Sequence, residues 1–208
     1  MRVLVVEGRP GAAVTTRATL TEAGHEVTSC HNGGPSFPCH GLGGGPGCPL
    51  ERDGGVDVAV LVRDQAGSQP TVTEDGVRCA LRRHVPLAVT GVVDDNPYTD
   101  YAAAISPGFD GVLDALEQAA NSPLAAHTGV ARAALRTVLD REGIDAADAD
   151  VSVLRHGPSL TIVLQPGVEL DPMVVETASV RVLGAVRALD RSASIIDVTV
   201  ATPSASSN

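Results

Sequence analysis

Three short, almost uninterrupted apolar runs constrain this chain most: Val3–Val6, Val56–Val62 and Val85–Val89. Each has the length of one strand, and none alternates apolar with polar residues. A strand of that kind is buried on both faces, as in a parallel sheet covered by helices on each side. The segments between them fit the same scheme. Val14, Ala18 and Leu20 or Thr21 form a loose helical stripe that follows Pro10 and stops at Gly24. His25–Ser29 reads as a second, weaker strand, and Thr71–Arg83 as a helix with Val72, Val77 and Leu81 turned inward. Asp94–Pro97 marks a turn. Tyr98–Ile105 then reads as a short helix, and Gly108–Asn121 as a weak fifth strand running into a helix. The alternation predicts an α/β unit over residues 1–121.

The pattern changes at Ser122 and Pro123. Val130, Ala134, Leu135, Val138 and Leu139 form one helical face, and Val151–Leu154 and Leu160–Leu164 read as strands around His156-Gly157-Pro158. Asp171 and Pro172 have the form of an N-cap followed by proline at the first helical position. Val175, Ala178, Val182, Ala185 or Val186, and Leu189 continue that helix as an apolar stripe, and Ile195–Val200 closes as a strand. This order predicts a second, small α+β domain over residues 122–202 with a three-stranded sheet. Residues 203–208 form a polar tail.

Composition removes several functions. The 208 residues carry a net charge of -10, which argues against general affinity for nucleic acid or anionic membrane. The cluster Arg78, Arg82 and Arg83 reads as a solvated helix face. All 15 basic side chains are arginine, so every mechanism that needs a lysine is excluded. Aromatic residues are only 2% of the chain, so the core must be built from Val, Leu, Ala and Ile. The Ala-, Gly- and Arg-rich, lysine-free composition suggests a bacterial source. No apolar stretch has the length of a signal peptide or a membrane span, and a cytoplasmic protein is expected. The four cysteines are then expected to be thiols or metal ligands rather than disulfides.

The segments VLVVEGRP, HEVTSC, DVAVLVRD and VPLAVTG resemble the receiver domain of bacterial response regulators over about residues 1–121. The resemblance implies a flavodoxin-like parallel sheet. It also implies a site at the carboxyl edge: acidic residues after the first strand to hold magnesium, an acceptor Asp ending the third, a hydroxyl after the fourth and a lysine after the fifth. Here the acidic pair is reduced to Glu7, with Gly8 beside it, and Val62 stands where the acceptor belongs. Asp64 lies two residues beyond it, Thr90 matches the hydroxyl, and the lysine position falls near Ala115. The pattern implies a receiver unable to take a phosphoryl group. The same edge is also where open α/β sheets place ligands, so a repurposed small-molecule site or an enzyme there is a further option.

Residues 30–55 replace an expected helix with a Gly- and Pro-rich segment. It contains CHNGGPSFPCHGLGGGPGC, with Cys30, Cys39 and Cys48 at equal spacing and His31 and His40 directly after the first two. This is neither a zinc-finger nor a ferredoxin spacing. The donor types suit tetrahedral zinc or an iron–sulfur cluster, the fourth ligand being His31, His40 or Cys79. Cys79 is otherwise read as a buried small hydrophobe. Redox-active thiols are one alternative, and incidental free thiols in a flexible loop are another. Burial is not expected to order the segment, so either a bound group orders it or it stays mobile.

The run LTIVLQPGVELDPMVVETASVRVLGAVRAL, followed by SIIDVTVAT, is similar to the alkaline-shock protein family over about residues 125–202. That resemblance implies a scaffold or interaction role. His127 and His156 are read as isolated capping or surface residues, and the edge strand Ile195–Val200 as a site for pairing with a second copy. The combined expectation is a non-catalytic regulatory or scaffold protein acting through protein contacts, with a metal in its cysteine-rich segment.

Overall fold

The computed structural model describes residues 1–31, 39–41 and 47–201. The chain divides into two compact units, Met1–Ser122 and Pro123–Asn208.

The first unit is an α/β structure on a five-stranded, all-parallel sheet of order β2-β1-β3-β4-β5. The strands are β1 (Arg2–Glu7), β2 (Glu26–Thr28), β3 (Val58–Arg63), β4 (Leu87–Gly91) and β5 (Ala104–Pro107), and the helices are α1 (Val14–Glu22), α2 (Asp75–Arg82) and α3 (Val112–Ala120). The apolar runs become the central strands because they serve two cores at once. Val3, Val5, Val58, Val60 and Val62 pack with Ala13 at the N-cap of α1, with Leu20 of α1 and with Val112, Leu116 and Ala119 of α3. Their neighbours Leu4, Val6, Ala59 and Leu61 pack on the opposite face with Val77 and Ala80 of α2.

Two expectations need correction. Residues 98–105 are not one helix: Thr99–Tyr101 is a single 3-10 turn, and the fifth strand is Ala104–Pro107, ahead of Gly108. That strand has only four residues at a sheet edge and ends in proline, so it lacks the apolar run that marks the inner strands. Ala115 accordingly lies on α3 within the core, and the β5 residue in register with Thr90 is Ser106. Within Thr71–Arg83, Thr71 and Glu74 form a capping box around a 3-10 turn, and Val72 points to solvent, 67% exposed.

The second unit follows the expected order of α4 (Ala125–Arg141), β6 (Asp150–His156), β7 (Ser159–Gln165), α5 (Pro172–Leu189) and β8 (Ile195–Val200). Its sheet is mixed, with β6 antiparallel and β8 parallel to β7, so β8 is an edge. Asp171 caps α5 by accepting from the Met173 N–H. Leu135 and Leu139 of α4 and Val182 and Val186 of α5 pack with Val151, Val153, Leu160 and Ile162 of the sheet.

Candidate functional site

Strand register places Glu7 beside Val62, Val62 beside Thr90, and Thr90 beside Ser106. The residues that the receiver resemblance selects therefore share one end of the sheet, and each is already engaged. Glu7 accepts hydrogen bonds from the Gly11 and Ala13 N–H groups, at 3.1 and 3.2 Å. It thereby serves free amides ahead of α1, whose N-cap Ala13 supplies no side-chain acceptor. Val62 is fully buried in the core. The Thr90 hydroxyl is buried and donates to the Gly108 carbonyl at 2.7 Å. Asp64 accepts from Arg9 Nε at 2.6 Å, and that hydrogen bond holds its carboxyl below the usual carboxylate range.

The centre of this edge is taken by an ion pair that the sequence did not announce. Arg63, the last residue of β3, donates from Nε to Glu74 Oε1 at 2.5 Å and from Nη2 to Glu74 Oε2 at 2.8 Å. Nη1 and Nη2 also donate to the Gly67 and Gln69 carbonyls. Glu74 also accepts from the Thr71 N–H at 2.7 Å, so a fully buried carboxylate has three donors. Buried charge survives only when paired and hydrogen-bonded to this degree. Gly8 makes room for the pair. A Cβ there would stand 3.0 Å from Arg63 Cγ and 3.2 Å from Glu74 Oε1. The neighbouring pocket, lined by Arg9, Asp64, Gln69 and Thr71 among others, measures about 90 Å³. Ligand pockets run from roughly 300 Å³ upward.

Cysteines line the α2 side of the sheet. Cys30 and Cys48 both pack against the core that contains Leu50, Val77 and Ala80. The His40 N–H donates to the Cys30 carbonyl at 2.9 Å. A Cβ on Gly41 would lie 3.2 Å from Cys48 Cβ and 3.8 Å from Cys39 Sγ, so these two cysteines flank one glycine. A Cβ on Gly76 would lie 3.0 Å from Cys30 Sγ, which sets Cys30 against the start of α2. Cys79 follows one turn later on that helix and is exposed, not the buried hydrophobe expected of it. Burial pushes the Cys30 thiol up to about 12, and the fields of Cys48, Cys79 and Cys39 add to the shift. Cys79 is also raised, by burial first and then by Cys48, while Arg82 opposes the rise. Both ring nitrogens of His40 are buried without a hydrogen-bond partner. His31 directly follows Cys30, and its carbonyl accepts from the Ser29 hydroxyl at 2.5 Å.

Burial does order part of the segment. Pro49 and Leu50 are buried in a 3-10 turn directly after Cys48. The portions 32–38 and 42–46 lie outside the described residues. Among the described residues, the sets of three potential ligand atoms within 4.8 Å of one another do not include the cysteine sulfurs.

The second unit holds a buried polar cluster that residue-by-residue reading missed. His127 is 1% exposed rather than a surface residue, with Nε2 3.2 Å from Asp190 Oδ2. Arg155 pairs with the same oxygen, and the Ser192 hydroxyl donates to Oδ1 at 2.6 Å. A Ser–His–Asp relay needs the imidazole between acid and hydroxyl. Here the hydroxyl sits on the carboxylate itself.

No protein-family model, curated protein or solved structure matches this chain. Among the described residues no helix is long and apolar enough to cross a membrane.

Proposed function

We propose that this chain is a non-catalytic regulatory or scaffold protein of the bacterial cytoplasm. In this reading the first unit is a flavodoxin-like, receiver-type domain without phosphorylation chemistry. Its cysteine-rich segment binds a metal, as zinc or an iron–sulfur cluster, and both units work through protein contacts. One observation carries the reading: the Arg63–Glu74 pair packs against Gly8, the position where a receiver would carry its second acidic residue. Magnesium and phosphate need free carboxylates and an acceptor oxygen. Val62 offers no oxygen, and Glu7 is already bound to backbone amides.

A groove of about 430 Å³, lined by Arg78, Leu81, Arg82, Pro97, Tyr98 and Tyr101, supports the protein-contact role. Tyrosine and arginine are the residues that anchor interfaces, and the two arginines select an acidic partner segment. The β8 edge offers a second copy a strand to pair with. A redox or metal sensor is the second reading, favoured by four thiols that lie in one another's fields. A small-molecule site or enzyme at the sheet edge has less support, because the pocket there is only about 90 Å³.

The test is incubation of the full chain with acetyl phosphate and magnesium, followed by intact mass and phosphopeptide analysis. No phosphoryl adduct is expected. A stable aspartyl phosphate at Asp64 would overturn the reading.

A further inference from the structure

We propose that the second unit carries a face for a second copy of this chain, in which the open edge of β8 pairs antiparallel with β8 of that copy while α5 packs against its α5 across the same twofold axis. The inference rests on the reading of a protein that works through contacts, and it names the partner, the register and the residues of the seam.

β8 is an edge strand with little to keep other strands away. It has six residues, no proline, no bulge in its register with β7, and one charge, Asp197. The Ala201 N–H donates to the Leu164 carbonyl, on the β7 side. Peptide groups alternate sides along a strand, so those of Ile196, Val198 and Val200 point to the open side. Among the described residues no strand or loop hydrogen-bonds to that side. Opposite residues of an antiparallel pair face the same side of the sheet. An axis through Val198 therefore sets Ile196 opposite Val200 of the second copy, and Asp197 opposite Thr199. The three apolar side chains stay on the helix side, where they already pack on the core. A register shifted toward the start of β8 would set Asp197 against Asp197, and like charges directly opposite are disfavoured.

The same axis brings the helices together. α5 is the crossover between parallel neighbours β7 and β8, so it lies over that pair. Strands stand about 4.8 Å apart, which puts α5 and its copy about 10 Å apart. That is the distance at which helices pack. Glu176, Val180, Leu183 and Arg187 share one face of α5 by their spacing of four, three and four residues. Arg187 donates to the Ala193 carbonyl just ahead of β8, so this face looks toward the β8 side. Val180 is 65% exposed and Leu183 39%. Beside them the helix surface is open, since a Cβ on Gly184 would meet nothing within 4 Å. Antiparallel pairing about a point midway between Val180 and Leu183 sets each Val180 against Leu183 of the other copy and each Glu176 against Arg187. The face is thus complementary to itself in charge as well as apolar, which selects a second copy over an unlike partner. Such an interface closes at two.

The experiment is light scattering of the full chain after size exclusion, in reductant so that free thiols do not link copies, from about 1 to about 500 micromolar. A species of twice the 21.2 kDa chain mass is expected. Val180→Arg is expected to weaken the dimer at least about tenfold with an unchanged circular-dichroism spectrum, because position 180 is exposed. Glu176→Arg should weaken it too, and adding Arg187→Glu should restore it. Amide exchange at Ile196, Val198 and Val200 should be at least about tenfold slower in the dimer than in monomeric Val180→Arg. A monomer at every concentration would overturn the inference. It would leave standing the non-catalytic reading, which fails separately, on a phosphoryl adduct. A dimer that Val180→Arg does not weaken, or whose β8 amides exchange as fast as the monomer's, would overturn this face as the interface. Slow exchange of those amides already in the monomer would show that another segment of this chain covers the edge, which also overturns it.

Discussion

Arg63 and Glu74 hold each other through two hydrogen bonds, of 2.5 and 2.8 Å, at the carboxyl end of β3. Both side chains are almost wholly withdrawn from water, at 4% and 0% exposure. The pair closes the sheet edge and also joins β3 to the start of α2. Removing one partner leaves a buried charge uncompensated, whereas removing both does not. Glu74→Ala is expected to cost the first unit about 3–5 kcal/mol. Arg63→Met combined with Glu74→Leu is expected to regain most of that loss. Urea unfolding of the three proteins measures it; a cost below about 1 kcal/mol for Glu74→Ala would mean water reaches Arg63 freely.

Restoring an acidic residue at position 8 should not restore a magnesium site. Asp at this position would push its Cβ to 3.0 Å from Arg63 Cγ and bring a second carboxylate toward Glu74. Crowding and like charge together predict a destabilisation of about 1–3 kcal/mol for Gly8→Asp. No gain in magnesium affinity is expected by isothermal titration. Tight magnesium binding by this variant would show that the ion pair yields easily and that the edge is still a metal site.

The fold was legible where one local rule decided the outcome. Val3–Val6 and Val56–Val62 had to be doubly buried strands, and Asp171-Pro172 had to open a helix. β5 was displaced because Ala104–Pro107 is too short and too mixed to stand out against a neighbouring helical pattern. The site was less legible because it depends on residues far apart in sequence. No local pattern singles out Arg63 or Glu74, which stand 11 residues apart and meet only when the chain folds back between them. Cys79 was read as a buried hydrophobe from its place on a helix, and it is exposed, whereas Cys30 is the thiol that reaches α2, at Gly76. Asp190 joins His127 across 63 residues, and no periodicity reports such a pair.

Asp190 gives the second unit a defined acid response. Burial alone would raise its carboxyl, but the Ser192 hydrogen bonds, the Arg155 charge and the His127 contact outweigh burial and hold it below the usual range. A carboxyl depressed in the folded state adds stability above its unfolded value of about 3.9, and that stability is lost as pH falls through the folded value. The second unit is therefore expected to lose stability below about pH 4, and Asp190→Asn to flatten that acid limb while lowering stability at neutral pH. Thermal midpoints of the two proteins from about pH 3 to pH 7 measure this. Parallel curves would show that Asp190 has the same affinity for protons folded and unfolded.

Thiol reactivity separates the cysteines by environment. Only the thiolate reacts with iodoacetamide, and a thiol held near 12 is ionised to about one part in ten thousand at pH 8. Cys30 should therefore be the slowest of the four once metal is stripped with a chelator. Cys79 is exposed and lies near Arg82, so it should be labelled well ahead of Cys30 although its thiol is also raised. Quenched labelling followed by peptide mass spectrometry gives both rates. Equal rates for Cys30 and Cys79 would show that Cys30 is not shielded by the α2 face. Adding zinc before the reagent should then slow Cys30, Cys39 and Cys48, because a thiolate bound to the ion is no longer free to attack, and unchanged rates at these three would count against metal binding by the segment.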